Sequence, residues 1–256
     1  MTDRAPTARA LAREAVHAGI LAAARARLTE EGPSQLSLRA VARDVGMVSS
    51  AVYRYFPSRD DLLTALLVAD YDELGAAVEA ADAAAGPAPG ARWVAACRAV
   101  RTWSVAHPGD FALLFGSPVP GYAAPSETVE PASRTTLTLV RVVADATAER
   151  GRVPVDADGR RGSPHAPTAA PGMVAPAVAD AVASLRALGV ELPEEVVVRT
   201  LMAWTTVFGT VSFELFGHFV GSVSDGALYF DEVVARLADD LGFAADFGPG
   251  PARPSD

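Results

Sequence analysis

The chain has 256 residues, half of them hydrophobic, enough for one large domain or two unequal ones. Its single cysteine, Cys97, excludes an internal disulfide and fits a reducing cytoplasm, and the polar opening MTDRAPTARA lacks the apolar run of a signal peptide. The net charge of −9 would exclude nucleic acid only if it were spread evenly: residues 1–59 hold nine Arg against five acids, the remainder thirteen against twenty-six, a basic front on an acidic body.

In chain order, the first predicted element is a helix from Thr7 to Glu31. It carries Val16, Ile20, Ala24 and Leu28 on one face and ends at Gly32-Pro33. Arg4 and Arg9 at its start are either a flexible minor-groove arm or a solvated tail. A short helix follows, with Leu38, Val41, Ala42 and Val45 at i, i+3, i+4 and i+7, Ser37 as N-cap and Gly46 as the left-handed residue that stops it. A second short helix begins at Ser49 or Ser50, either of which could cap it. Its inward side is Val52, Tyr53 and Phe56, with Ser49, Ala51, Arg54 and Tyr55 outward, and Pro57 ends it. Two short helices joined by a glycine turn form a helix-turn-helix, whose second helix enters the DNA major groove. Double-stranded DNA is therefore the first partner. Ser49, Ser50 and Arg54 are candidates for bases or phosphates; Tyr53, Tyr55 and Arg59 are candidates for the backbone, and Ser37 and Arg39 on the first short helix complete the set.

This segment resembles the TetR family of bacterial transcription regulators. The residues that carry the resemblance are Ser37, Leu38, Val41, Ala42, Gly46, Tyr53, Tyr55, Phe56 and Arg59, in order and at the family's spacing, within about residues 10 to 75. Two positions depart from the pattern. Val48 stands where the family usually has a capping Ser or Thr, and Arg59 replaces a usual Lys while keeping a phosphate-binding cation. The resemblance implies a homodimer on a pseudo-palindromic operator.

Ser58-x-x-Asp61 reads as a capping box for the next helix, with Leu63, Leu66, Leu67, Asp70 or Tyr71, Leu74 and Val78 inward. The expected division is a DNA-binding domain over 7–56, a connecting helix over 57–82, and a second domain over 91–242. That second domain reads as further helices: Ala91 to Ala106, Pro108 to Phe115, Ser126 to Arg150, Met173 to Leu188, Pro193 to Phe219 and Ala227 to Leu241. Residues 151–172, rich in Pro and Gly, read as a disordered loop, and 243–256 as a loose tail. No segment has a strand period. The fold class is all-α: an N-terminal helix-turn-helix domain of three helices, then a helical ligand-binding and dimerisation domain.

Thr200 to Ser224 has one charged residue, Glu214. Its length permits a membrane span, but its internal polar residues and the lack of flanking basic clusters favour burial against a second subunit instead. The last two helices of each chain would then form a four-helix dimer interface. The C-terminal half also resembles a TetR subgroup named for a Trp, His and Gly signature, through His107-Pro108, Phe115-Gly116, Pro118-x-Pro120, Tyr122, and Trp204 with Gly209. Phe208 replaces the signature His. This resemblance implies a small hydrophobic effector that lowers operator affinity. Trp103, Phe111, Phe115, Tyr122, Trp204 and Phe208 are its candidate walls, and Arg141 and Thr205 its candidate polar contacts; ordinary core packing is the alternative.

Enzyme chemistry is excluded on inventory. His17, His107, His165 and His218 are far apart in the chain, no metal-ligand spacing or Gly-x-Ser-x-Gly occurs, and no cofactor is implied. The reading is a cytoplasmic, homodimeric, effector-released repressor. A DNA-binding regulator without an effector, controlled by a protein partner or by abundance, is the second hypothesis.

Overall fold

Every regular element among the described residues, 7–152 and 174–248, is helical in a computed structural model of the chain. In order these are α1 (Ala8–Glu31), α2 (Leu38–Asp44), α3 (Ser49–Val52), α4 (Arg59–Ala84), α5 (Pro89–Ala106), α6 (Pro108–Phe115), α7 (Val129–Arg152), α8 (Val174–Ala177), α9 (Ala179–Ala187), α10 (Glu194–Leu215) and α11 (Gly226–Leu241). The all-α class stands.

The chain divides into two units, one of residues 1–73 and 106–132, the other of 74–105 and 133–256. The first unit therefore takes in α6 and the loop after it, which the sequence assigns to the second domain. Its core gathers Ile20, Ala24 and Leu28 from α1, Leu38, Val41 and Ala42 from α2, and Val52 and Phe56 from the α3 region. Leu62, Leu63, Leu66 and Leu67 of α4 join them, with Leu113 and Val119 from α6 and its loop. Gly109 shows how closely α6 approaches α1: a Cβ there would lie 2.6 Å from the Thr29 amide nitrogen and 2.7 Å from its Cα. Any larger residue would push the helices apart.

Inside this unit lies a buried ionic cluster. Arg25 of α1 donates from Nε to Asp70 Oδ1 of α4 at 2.8 Å, pairs with Glu73 at 2.9 Å, and lies 3.8 Å from Asp110 of α6. His107 Nε2 is 3.5 Å from Glu73. Asp70 is fully buried and Asp110 nearly so, and Asp70 Oδ2 and Asp110 Oδ1 have no hydrogen-bond partner among the described residues. Burial, reinforced by the neighbouring Asp110, pushes the Asp70 carboxyl up to about 7, against the pull of Arg25. Burial also raises Asp110. The sequence pattern offered Asp70 or Tyr71 for the inner face of α4, and Asp70 is the one fully buried there; Arg25 gave no such signal.

The helix ends follow glycine where the chain must turn. Gly46 (φ +66°) stops α2, with the Met47 N–H returning to the Ala42 carbonyl at 2.9 Å. Gly217 (φ +77°) does the same for α10, with the His218 N–H on the Phe213 carbonyl at 2.9 Å. That closure ends α10 at Leu215, earlier than the Phe219 expected from apolar periodicity.

In the second unit, Trp93 of α5 is buried and its indole N–H donates to the Val234 carbonyl of α11 at 3.0 Å. A smaller cluster gathers Val140, Val178, Val182, Leu192 and Val197. Over its described residues the expected helix from Met173 to Leu188 is two helices, α8 and α9, broken at Val178. Of the expected loop 151–172, residues 151 and 152 finish α7 and the remainder lies outside the described residues. Within the expected tail, Phe243 sets its ring edge-on to Trp93 at 6.0 Å and Arg98 stacks over Phe247 at 5.1 Å, so residues 243–248 pack on α5.

Candidate nucleic-acid interface

α1 and α2 carry the scaffold and α3 the candidate reading surface. α3 is short, but the Tyr55 and Phe56 N–H groups bond the Val52 carbonyl at 2.8 and 3.0 Å, so the coil continues to Phe56. Val52 and Phe56 anchor it in the core at 0% and 3% exposure.

Three sequence expectations change here. The first is the inward face. Tyr53 is exposed, whereas Tyr55 packs against the core with Arg13 stacked 5.7 Å from its ring centroid. Helical spacing places the two symmetrically, Tyr55 about 60° from Val52 and about 100° from Phe56 and Tyr53 the reverse, so what ranks them is the side that the rest of the core and Arg13 of α1 cover. The second is the cap. The N-cap of α3 is Val48, with extended backbone and no side-chain hydrogen bond, so neither Ser49 nor Ser50 caps. The third is Arg59. Its Nε donates to the Leu36 carbonyl at 3.0 Å, and its Nη2 to those of Pro33 and Ser34 at 2.9 and 3.1 Å. The guanidinium satisfies the carbonyls of the turn between α1 and α2 instead of standing free for a phosphate.

What remains outward is compact. Arg39 on α2 and Val48, Ser50, Tyr53 and Arg54 on and around α3 are exposed; Ser49 is half-buried. Ser37 is the α2 N-cap, half-buried, and its hydroxyl makes no capping bond. Ser58, by contrast, caps as its sequence motif implies: its Oγ accepts from the Asp61 N–H at 3.1 Å and donates to the Asp61 carboxylate at 2.6 Å. The surface thus offers two long cations, one phenol, small hydroxyls and one branched apolar group, an inventory suited to base edges and phosphates.

The candidate effector residues fall into two groups. Phe111, Phe115 and Tyr122 belong to the first unit, where the Phe111 and Phe115 rings lie 5.1 Å apart and the Tyr122 hydroxyl bonds Thr64 at 2.8 Å. Trp103, Arg141, Trp204, Thr205 and Phe208 belong to the second. There Trp103 and Phe208 are buried, and Trp204 lies 5.6 Å from Phe208 with its indole nitrogen buried and lacking a partner among the described residues. Arg141 and Thr205 are exposed, and the Thr205 hydroxyl is spent on the Met202 carbonyl at 2.9 Å. Both are therefore misplaced as polar contacts inside a buried cavity, because each lies on an outward helix face. Among the described residues no group of three His, Cys, Asp or Glu is arranged to hold a metal ion. Cys97 is fully buried and burial pushes its thiol up, away from the reactive thiolate.

Residues 20–66, which hold this surface, match the model of the bacterial regulatory proteins of the tetR family. Residues 93–237 match the tetracyclin repressor-like C-terminal domain. The HTH-type transcriptional regulator Rv1816 of Mycobacterium tuberculosis is 37% identical over 234 residues, spanning 89% of this chain and 94% of that protein. The same figures hold for the HTH-type transcriptional regulator Mb1846 of Mycobacterium bovis. Among solved structures, the regulatory protein SCO4313 superimposes with a TM-score of 0.69 at 30% identity, covering 91% of this chain and 99% of that one. A Rhodococcus protein of unknown function superimposes at 0.60 with 26% identity, covering 90% and 95%. The paired family matches across both parts of the chain, and the near-full-length identity to named regulators, make it a DNA-binding transcriptional regulator of the TetR family.

Proposed function

We propose that this regulator is a repressor. A dimer of the chain holds two α3 elements in successive major grooves of a pseudo-palindrome, with half-sites about 34 Å apart, one turn of DNA. The observation that carries this reading is the exposed set Arg39, Ser50, Tyr53 and Arg54 on a helix pair whose other face packs into the core. Arg54→Ala should weaken binding by roughly 1–3 kcal/mol and relax preference at one position of each half-site. Arg59→Ala should act differently. Removing a charged donor to three carbonyls should lower stability by about 1.5–3 kcal/mol and leave the salt slope of DNA binding nearly unchanged. Thermal melts and salt titrations of binding separate the two.

The dimer in this reading forms through α10 and α11. Leu201, Met202, Phe213, Phe216, Leu228 and Tyr229 are all at least 40% exposed on or beside these helices, an apolar surface that a second copy would cover. α10 is one helix, among the described residues, long and apolar enough to cross a membrane, with a third of its most apolar window buried. Its exposed remainder suits a subunit interface in a cytoplasmic protein, because it continues onto α11, whose own N-terminal turn is capped by Asp225 in the manner of an aqueous helix.

Release from the operator is assigned to a small hydrophobic effector. Trp204 supports this: its indole nitrogen is a buried donor without a partner among the described residues, beside the Phe208 ring, and a ligand oxygen would relieve that cost. α4, whose residues belong to both units, is the element that effector and operator can both bias. The test is a thermal-shift screen of apolar compounds, followed by operator release with each compound that stabilises the chain. Trp204→Phe should fold and bind DNA normally but raise the effector concentration required. If no compound stabilises the wild type and Trp204→Phe changes nothing, the effector-free regulator is the correct reading.

A further inference from the structure

We propose that Val48 is a specificity-determining residue that reads the 5-methyl group of thymine in each half-site. The inference rests on the reading of α3 as the element that enters the major groove. Val48 is 69% exposed, more than any other large hydrophobic side chain described in the first unit, in a segment whose neighbours Val52 and Phe56 are buried. It is the N-cap residue of α3 (φ −69°, ψ 141°), and while its carbonyl accepts the Ala51 N–H at 2.9 Å, its side chain offers the helix no acceptor. Valine therefore does the work of neither a cap nor a core residue here.

Its place on the surface supplies a use. N-terminal residues of a recognition helix are those that reach base edges. The major-groove edge of thymine differs from all other natural bases in carrying a methyl group, which apolar side chains recognise by contact. A β-branched side chain is stiff at χ1, so its two methyls are held in place before DNA arrives. Ser50 and Arg54 lie on the same short helix and are exposed beside it, and they add hydrogen bonds to neighbouring positions. Valine at this point makes no hydrogen bond to any base, so its whole contribution to recognition is the methyl contact.

The test uses the full-length dimer and an operator selected from a random-sequence library. Each thymine of the half-site is replaced in turn by deoxyuridine, symmetrically in both half-sites, which removes the methyl and keeps every hydrogen-bonding group. At one position the wild type should lose about fourfold in affinity per half-site, near fifteenfold for the symmetric operator, from the burial of one methyl-sized group. Val48→Ala should bind the thymine operator correspondingly more weakly and be indifferent to deoxyuridine there. Its melting temperature should match the wild type, because the side chain is exposed. Placing 5-methylcytosine at that position should favour the wild type over plain cytosine and leave Val48→Ala unmoved. Equal deoxyuridine losses in wild type and Val48→Ala, or none in either, would overturn the proposal alone. Failure of the wild type to show any salt-sensitive binding would overturn the α3 reading and this inference with it.

Discussion

Arg25→Met should destabilise the protein by about 3–5 kcal/mol at neutral pH, because it strands buried carboxylates that share one cation. The methionine keeps most of the aliphatic stem, so lost packing contributes little and the effect is electrostatic. Denaturant titrations should show the penalty shrinking as pH falls, since protonation of Asp70 and Asp110 removes the charges left behind. The wild type should carry a weaker version of the same dependence. Asp70 is raised to about 7 from an ordinary value of 3.8, so the folded chain holds this proton more tightly than the unfolded one. Its contribution to stability is then fully present below about pH 4, declines as pH rises, and is gone above about pH 7. The groups around the proton are Arg25 from α1, Glu73 from α4, and Asp110 and His107 at α6, so the titration belongs to the cluster rather than to one residue. Asp70→Asn should remove most of this slope between pH 4 and 7 while keeping the volume of the side chain. A slope that persists in Asp70→Asn would assign it to other carboxyls.

Such a cluster has no local signature, and the contrast with the helix-turn-helix shows what a sequence can and cannot disclose. Ser58 and Asp61, Gly46, and the apolar stripe Ile20, Ala24 and Leu28 act on neighbours within four residues, and their roles follow from spacing. Arg25 finds its partners 45 to 85 residues away, and Arg59 its carbonyls 23 to 26 residues back. Both are arginines on amphipathic helices, and solvated and committed guanidinium groups look alike until the fold is closed. The exchange of Tyr53 and Tyr55 has a different origin. Both are aromatic, so composition could not rank them, and a five-residue stretch after Ser49 is too short for periodicity to decide which faces inward. Boundaries went wrong where one residue outweighs the pattern: the apolar run through Phe219 outlasts α10 because Gly217 closes the helix first. The aromatic residues proposed as one effector wall are distributed between two units, a partition to which hydrophobicity is blind.

The largest functional effect should come from two arginine substitutions on the last two helices, which the structure separates. Val234 is fully buried and its carbonyl receives the Trp93 indole N–H, so Val234→Arg places an unpaired charge in the interior of the chain itself. It should yield little folded protein by circular dichroism, and says nothing about assembly. Phe213 is 51% exposed on α10, with His218 and Phe219 rings 4.9 and 5.8 Å away. An arginine there remains hydrated in a single chain and is expensive only when a second copy is brought against it. Phe213→Arg should therefore keep the wild-type helical content and melting behaviour of the isolated subunit, sediment as a monomer, and lose the palindrome. The loss is more than loss of contact area. A dimer presents its second α3 at a high effective concentration for the second half-site, whereas a monomer must bind each half-site independently. Affinity for a lone half-site should be unchanged by Phe213→Arg, and that comparison, together with sedimentation, is the decisive measurement. A Phe213→Arg chain that remains dimeric and retains the palindrome would overturn the proposed α10–α11 interface.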